Sequence, residues 1–324
     1  MLGPRAAPRT TRRALGRHAA GPAFAVEQSL AEWEPWGGES AAAPRITLDT
    51  VQPLGVNVGR RSRSSAHESR AARGCRVLIL LPPSETKRPG GIEGTRLDLA
   101  ALSFPELTPQ RRALVEALRV GARDEAATMT ALKLGPTQAG EVRRNRSIRT
   151  SPVMPAIDRY DGVLFDALDA ATLTPAQRAF AGRHVAISSA AFGLTGALDP
   201  LPAYRLSHDS RLPGMRLGAI WREPLTKLLA STTGLILDLR SEAYAALGPV
   251  PDRPNALYVR VVSEDGSGRR RALNHFNKAG KGAFVRRMLE AGRVHECAES
   301  LLAWAEDSGC GCSGAPSAEL DLVV

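Results

Sequence analysis

The chain has 324 residues, a formal net charge of +10 and a hydrophobic fraction of 43%, which is enough to form a substantial core. The excess of basic residues favours a polyanionic partner such as nucleic acid, although the arginine-rich composition that a GC-rich genome encodes produces the same net charge without any such partner. No apolar run approaches the roughly 18 residues that a membrane-spanning helix needs, and the N-terminus has no hydrophobic secretory segment. The four scattered cysteines argue against a disulfide framework and predict a reducing, cytoplasmic location.

The chain divides by composition into three parts. Residues 1–75 contain eleven arginines and no lysine, with many small residues and no hydrophobic period. Such a stretch cannot bury enough apolar surface to offset the entropy of ordering it. We expect a disordered or spurious N-terminal extension there, in preference to a transit peptide. A folded body then covers residues 76–306, and a flexible tail covers residues 307–324.

The elements of the body, taken in chain order, predict a mixed α/β fold. Apolar runs and alternating patterns predict strands over residues 76–81, 160–168, 184–187, 234–237, 256–262 and 269–274, the last two forming a hairpin. Helical periodicity and N-terminal Pro or Thr signals predict helices over residues 108–120, 123–131, 137–146, 221–229, 282–291 and 296–305, with a short one starting at Thr174. We therefore expect a single α/β domain with a central mixed sheet and flanking helices.

The segment between the two predicted helices at 123–131 and 137–146 resembles the hairpin of helix-hairpin-helix DNA-binding motifs. A glycine in such a turn lets the backbone approach a phosphate, and the N–H groups that open the next helix point towards it. Gly135, Pro136 and Ala139 match the usual pattern, whereas Lys133 stands where the first glycine is expected. The predicted nucleic-acid contacts are Lys133, Gly135, Thr137, Gln138, Arg143, Arg144 and Arg146. The alternative is an ordinary helix–helix turn with a solvated, arginine-rich helix end.

Polar side chains follow several of the predicted strands, where α/β proteins usually form their binding sites. Their mixture of Lys, Arg, Tyr and Ser suits phosphate better than acid–base hydrolysis. The predicted cleft residues are Ser84, Lys87, Tyr204, Arg205, Arg240, Ser241, Tyr244, Lys278 and Lys281. For each group a structural alternative stays open: a proline-flanked cap at Ser84, a cap with a buried hydroxyl at Ser241 and Tyr244, and a flexible surface turn at Lys278 and Lys281.

Metal, cofactor and catalytic motifs are weakly represented. The six histidines are isolated, and Cys310 with Cys312 supplies only two ligands, so we predict no metal site and no cofactor. The spacing of residues shows neither a Ser-His-Asp set nor a pair of catalytic carboxylates. No catalytic residue is therefore predicted.

Several segments of the body together resemble the YaaA family of bacterial peroxide stress proteins. The segments are the turn at 82–87, residues 160–168, the stretch from Ser189 to Asp199, Tyr204-Arg205-Leu206, Ser241 with Tyr244, and Lys278 with Lys281 and Gly282. Their order and spacing, rather than any single motif, carry the resemblance. It implies an α/β protein with a positively charged cleft and a helix-hairpin-helix-like element. It also implies binding to duplex or distorted DNA and a role in limiting damage by hydrogen peroxide and free iron.

The sequence thus predicts a DNA-binding stress protein, with two alternatives. The first is an enzyme that processes a nucleotide or phosphoester, with Ser84, Lys87, Arg240 and Lys278 around the phosphate. The second is a redox or iron-handling protein that acts through Cys310 and Cys312.

Overall fold

The structure is a computed structural model and describes residues 77–264, 270–272, 277–314 and 319–323. The predicted N-terminal extension and the turn of the predicted hairpin lie outside these ranges. Within them, no helix is both long enough and apolar enough to cross a membrane.

Ten strands occur in the described part of the chain. They are β1 (Leu78–Leu81), β2 (Met154–Pro155), β3 (Val185–Ser189), β4 (Gly193–Gly196), β5 (Pro200–Leu201), β6 (Ile236–Asp238), β7 (Ala256–Glu264), β8 (Arg270–Ala272), β9 (Cys312–Gly314) and β10 (Glu319–Val323). Eight of them form one sheet in the order β4-β3-β1-β6-β7-β10-β9, with β8 paired to β7. β3, β1, β6, β7 and β10 run parallel, whereas β4, β8 and β9 are antiparallel additions.

Ten α-helices accompany the sheet in the same ranges. They are α1 (Thr108–Gly121), α2 (Glu125–Ala131), α3 (Ala139–Arg146), α4 (Ala156–Arg159), α5 (Val163–Leu168), α6 (Pro175–His184), α7 (Leu217–Ser231), α8 (Glu242–Ala245), α9 (Asn277–Ala291) and α10 (Ala298–Asp307). The start of α6 follows directly from its sequence, because the Thr174 hydroxyl accepts a hydrogen bond from the Gln177 N–H and Pro175 opens the helix. α9 packs against α5, α6 and β7.

The core lies around β1, an interior strand of the sheet between β3 and β6. All four residues of β1 are buried, as a strand covered on both faces requires. Ile79 is in register with Val185 of β3 and with Leu237 of β6. The carboxyl ends of β1 and β6 therefore meet at one edge of the sheet, which is where polar loops gather.

The predicted mixed α/β class with a central mixed sheet is confirmed, and so is the hairpin, formed by β7 and β8. The strand predicted over residues 160–168 is wrong, because Val163–Leu168 is the helix α5. Its buried residues Leu164, Phe165 and Leu168 have helical spacing, and the apolar content of the segment hid that period.

The chain after Asp307 differs from the predicted flexible tail. Residues 312–314 and 319–323 form β9 and β10, and β10 pairs in parallel with β7. Leu320 and Leu322 are buried, whereas the neighbouring Glu319 is exposed. The sequence of β10 therefore has the alternating pattern of a half-buried strand, but the pattern is short and follows a glycine-rich segment.

Candidate functional site

A cleft of about 910 Å³ opens at the carboxyl ends of β1 and β6. Residues 82–85 follow β1 and form one wall, and residues 239 and 241–244 follow β6 and form another. The start of α5, the loop at 207–209, Tyr258 of β7 and the start of α9 complete the lining. This position, outside the carboxyl ends of parallel strands, is the usual place for a ligand in an α/β fold.

Five of the nine predicted cleft residues line this cleft: Ser84, Ser241, Tyr244, Lys278 and Lys281. The structure thus brings together residues from three distant parts of the sequence. Lys87, Tyr204, Arg205 and Arg240 do not line the cleft, and each of them makes contacts behind its wall.

The charges that line the cleft are mixed. Lys278 and Lys281 supply positive charge, whereas Glu85, Asp209 and Glu242 supply negative charge in the same lining. Because the acids are as prominent as the lysines, lining charge alone does not single out a polyanion as the occupant.

Lys281 is the most constrained cation of the cleft. Its side chain is only 5% exposed, and its Nζ donates to the carbonyl oxygen of Leu239 at 3.0 Å and lies 3.4 Å from that of Arg240. Burial lowers the pKa of Lys281 to about 8, although Asp238 and Glu242 oppose the shift. Lys281 therefore ties α9 to the end of β6 while it lines the cleft.

The two arginines predicted for the cleft are paired internally. Arg240 is fully buried, and its Nε and Nη2 donate to the two carboxylate oxygens of Asp238 at 2.8 and 2.7 Å. Arg205 lies 3.5 Å from a carboxylate oxygen of Glu85 and donates to the Glu85 carbonyl at 3.3 Å. These arginines support the walls, and their charges are offset by neighbouring carboxylates.

A buried polar cluster lies behind the loop that follows β1. The Tyr204 hydroxyl is 2.8 Å from the Tyr160 hydroxyl and 2.7 Å from the Ser189 hydroxyl. Lys87 Nζ lies 4.4 Å from the centre of the Tyr204 ring and 5.6 Å from that of Tyr160. It also donates to the Glu85 carbonyl at 3.1 Å, which connects the cluster to a residue that lines the cleft.

Burial shifts the ionisation of this cluster strongly. The side chain of Lys87 is 2% exposed, and desolvation lowers its pKa to about 7, with Arg205 and Arg144 adding to the shift. Burial also raises the pKa of Tyr160 to about 12. Sequence reasoning predicted Lys87 and Tyr204 but assigned neither Tyr160 nor Ser189 to the site, since their hydroxyl contacts depend on the tertiary fold.

The predicted hairpin is a tight turn between α2 and α3. Lys133 has a φ of 54°, the left-handed conformation that glycine normally adopts, at the position where the motif expects a glycine. The N–H groups of Lys133 and Leu134 donate to the carbonyls of Thr130 and Met129, so the end of α2 is a Schellman motif. The backbone shape expected from a glycine is therefore present with a lysine in its place.

Several predicted hairpin residues are engaged within the protein. The Gly135 N–H donates to Gln138 Oε1 at 2.9 Å, and Lys133 Nζ is 2.7 Å from Asp209 Oδ2. Arg144 pairs with Glu141 at 2.8 Å, and Arg146 donates twice to the Ala122 carbonyl. Thr137 and Arg143 are exposed. A helix-hairpin-helix element that offers free backbone N–H groups is thus not established by this geometry.

Four exposed arginines on α3 and the turns beside it form a surface that we call the arginine face: Arg123, Arg143, Arg146 and Arg149. Arg143 and Arg146 are three residues apart on α3 and project from neighbouring positions of one side. The bond from Arg146 to Ala122 places α3 beside Arg123. Arg123 and Arg149 both help to lower the pKa of Glu116, after the stronger hydrogen bond from Arg119, so both lie near this carboxylate.

Residues 77–307 match the model of the peroxide stress protein YaaA family. The match begins at β1 and ends at α10, so it includes the cleft, the buried polar cluster and the arginine face. The chain belongs to the peroxide stress protein YaaA family.

Relatives from Corynebacterium and Streptomyces agree with this assignment to the YaaA family. A UPF0246 protein from Corynebacterium efficiens is 46% identical over 217 residues, which cover 65% of this chain and 84% of the relative. A UPF0246 protein from Corynebacterium glutamicum is 42% identical over 242 residues, covering 72% and 93%. One from Streptomyces coelicolor is 39% identical over 241 residues, covering 72% and 90%. The resemblance inferred from short motifs is thereby confirmed.

Proposed function

We propose that this YaaA-family protein binds DNA through the arginine face and the turn between α2 and α3, and that this binding limits damage by peroxide and iron. The observation that supports this proposal is the arginine face itself: four exposed arginines, two of them on α3, one in the turn after α3 and one in the turn between α1 and α2. Contacts between guanidinium groups and backbone phosphate oxygens carry no information about base sequence, so we expect binding that is insensitive to sequence and sensitive to salt.

The turn contributes to the same proposed surface. Lys133 and Thr137 are exposed at the start of the segment that leads into α3, close in sequence to Arg143. The Lys133 ammonium group pairs with Asp209, and both side chains are about half exposed. An exposed pair of this kind is worth at most about 1 kcal/mol, so a phosphate competes with Asp209 at little cost.

The test is a salt titration of fluorescent-DNA binding with Arg143→Glu/Arg149→Glu in the full chain. Each phosphate contact contributes about −0.9 to the slope of log affinity against log salt for duplex DNA. We expect the double variant to bind all duplex sequences more weakly and to flatten this slope by about 2. Duplex, single-stranded and mismatched-bubble probes, compared in parallel, would rank the DNA structures.

The matched control is Arg183→Glu/Arg222→Glu, which makes the same change of charge at exposed positions on α6 and α7. It should leave the salt slope unchanged if contacts are local. Equal losses in the two double variants would assign binding to net charge alone and reject the arginine face. Absence of binding by the unaltered protein at low salt would reject the DNA proposal.

The alternative is a nucleotide- or phosphoester-processing activity in the cleft. Its support is the size of the cleft, about 910 Å³, together with the convergence of Ser84, Ser241, Lys278 and Lys281 in one lining. Lys87 and Arg240, which this alternative also required, lie behind the walls. A mononucleotide that binds in high salt, and loses affinity with Lys278→Ala but not with Arg143→Glu, would favour the cleft.

A further inference from the structure

The end of α10 fixes the position of one cysteine. The N–H groups of Gly309 and Cys310 donate to the carbonyls of Glu306 and Ala305, and Gly309 has a φ of 65°. This is a Schellman motif, which places Cys310 directly after the left-handed residue. The side chain of Cys310 is 6% exposed and packs at the edge of the hydrophobic core.

A tight turn then brings a second cysteine back towards the first. The Cys312 N–H donates to the Cys310 carbonyl at 2.7 Å, so residues 310–312 form a γ-turn around Gly311. An extended strand separates alternate Cα atoms by about 6.6 Å, and a γ-turn shortens this distance. Disulfides need Cα atoms about 4.4–6.8 Å apart, so the Cα separation in a γ-turn is compatible with a bond between the two cysteines.

A cation lies against the first thiol. The Arg287 guanidinium, on α9, donates from Nη1 to Cys310 Sγ at 3.1 Å, and this hydrogen bond is the main reason that the pKa of Arg287 is raised. A guanidinium at this distance offsets the charge of a thiolate, which is the nucleophilic form of cysteine. Cys312 differs, because burial, and then the charge of Cys310, raises its pKa to about 12.

We propose that Cys310 and Cys312 form a peroxide-reactive dithiol in which Cys310 is the attacking thiolate and Cys312 the resolving thiol. The pair lies beyond residue 307, where the match to the YaaA family ends. The proposal is therefore independent of DNA binding by the arginine face.

The chemistry has two steps that balance. The Cys310 thiolate attacks one oxygen of hydrogen peroxide and breaks the O–O bond, giving a sulfenic acid on Cys310 and hydroxide, which takes a proton to become water. The Cys312 sulfur then attacks the sulfenic sulfur, forming the disulfide and releasing water as its thiol proton joins the departing hydroxyl. Two electrons leave the dithiol, and one peroxide molecule is reduced to two of water.

The test exposes the full chain to graded hydrogen peroxide, alkylates the remaining thiols and identifies them by peptide mass spectrometry. We expect Cys310 and Cys312 to lose reactivity together, with a peptide lighter by two hydrogens, while Cys297 stays alkylated. In Cys312→Ser, dimedone should trap a sulfenic acid on Cys310. In Arg287→Met, the rate constant for oxidation of Cys310 should fall about tenfold, which corresponds to about 1.4 kcal/mol.

Arg293→Met is the matched control, because Arg293 is an exposed arginine just after α9 and carries the same charge. It should leave the rate unchanged. Unfolding curves of each variant separate a loss of reactivity from a loss of fold, and Arg287→Lys retains the cation if Arg287→Met unfolds. Oxidation of Cys297 at the same rate as Cys310, or equal rates in the two methionine variants, would overturn the proposal.

Discussion

Lys87 illustrates at the residue scale how burial changes the behaviour of one side chain. Its amine lies against two tyrosine rings, and its pKa falls from the usual 10.5 to about 7. Because the folded-state pKa is the lower one, the unfolded chain binds the proton more tightly between pH 7 and 10.5. Stability from this group therefore rises with pH across that window, by up to about 1.4 kcal/mol per pH unit, and is lowest below pH 7.

Replacing Lys87 with methionine removes this titration and keeps an unbranched chain of similar length. We subtract the unfolding free energy of the unaltered protein from that of Lys87→Met. This difference should be most positive near pH 6.5, where the variant compares best, and should decrease as the pH rises to 9.5. Urea unfolding at several pH values measures it. Lys278→Met, at an exposed position in the cleft lining, is the control and should show no such trend. A difference that is independent of pH for Lys87→Met would contradict the buried, neutral amine.

The sequence revealed part of this residue-scale arrangement. Lys87 was identifiable because polar groups after apolar runs predict a site at the sheet edge, and Tyr204 was identifiable from the Tyr204-Arg205-Leu206 segment of the family resemblance. Their mutual contact was not identifiable, since it depends on the packing of segments that are distant in sequence. Arg240 shows the same limit, because its bidentate pair with Asp238 directs the charge into the protein rather than into the cleft.

At the scale of elements, the packing of α5 against α9 depends on a glycine. A Cβ atom placed on Gly282 would lie 2.2 Å from the Leu164 carbonyl oxygen and 2.9 Å from the Ala167 Cβ. Neither neighbour is the end of a flexible side chain. The two helices therefore approach as closely as they do because residue 282 has no side chain.

Gly282→Ala should consequently move α9 away from α5 and lower the free energy of unfolding by about 1–3 kcal/mol, as overpacking does. Urea unfolding monitored by circular dichroism would measure the loss. Gly218→Ala is the matched control, because a Cβ atom there meets nothing within 4 Å and alanine favours a helix by about 1 kcal/mol. Equal free energies of unfolding for Gly282→Ala and Gly218→Ala would show that the packing of α5 against α9 does not require a glycine at position 282.

Element prediction from the sequence succeeded where signals were local and failed where they were ambiguous. The start of α6 was recognisable because Thr174, Pro175 and Gln177 are local capping signals. The segment at 163–168 was assigned to a strand because a short apolar run has no unique period. Its helical identity becomes clear only from the contact with α9.

At the scale of the whole molecule, the sheet is completed by residues that looked unstructured. β10 pairs with β7 over five residues, and its Leu320 and Leu322 are buried. The sequence did not predict this strand, since a short segment in a glycine-rich context becomes a strand only when a partner edge is available.

Truncation after Asp307 should therefore lower the free energy of unfolding by about 3 kcal/mol or more, because each buried leucine contributes about 1.5–3 kcal/mol. It should also promote self-association, since the long edge of β7 loses its partner. Urea unfolding and light scattering measure the two effects, and Leu320→Ala/Leu322→Ala in the full chain isolates the burial. A truncated chain with the same free energy of unfolding as the full chain, and with no greater self-association, would refute a structural role for β10.

Lys133 belongs to the turn between α2 and α3, whereas its partner Asp209 belongs to the lining of the cleft. The ammonium group is the main cause of the lowered pKa of Asp209, about 2. An anion that bound Lys133 would leave the Asp209 carboxylate unpaired and make the charge of the cleft lining more negative. A cation in the cleft and an anion at the turn would therefore assist each other's binding, each raising the affinity for the other by the same factor.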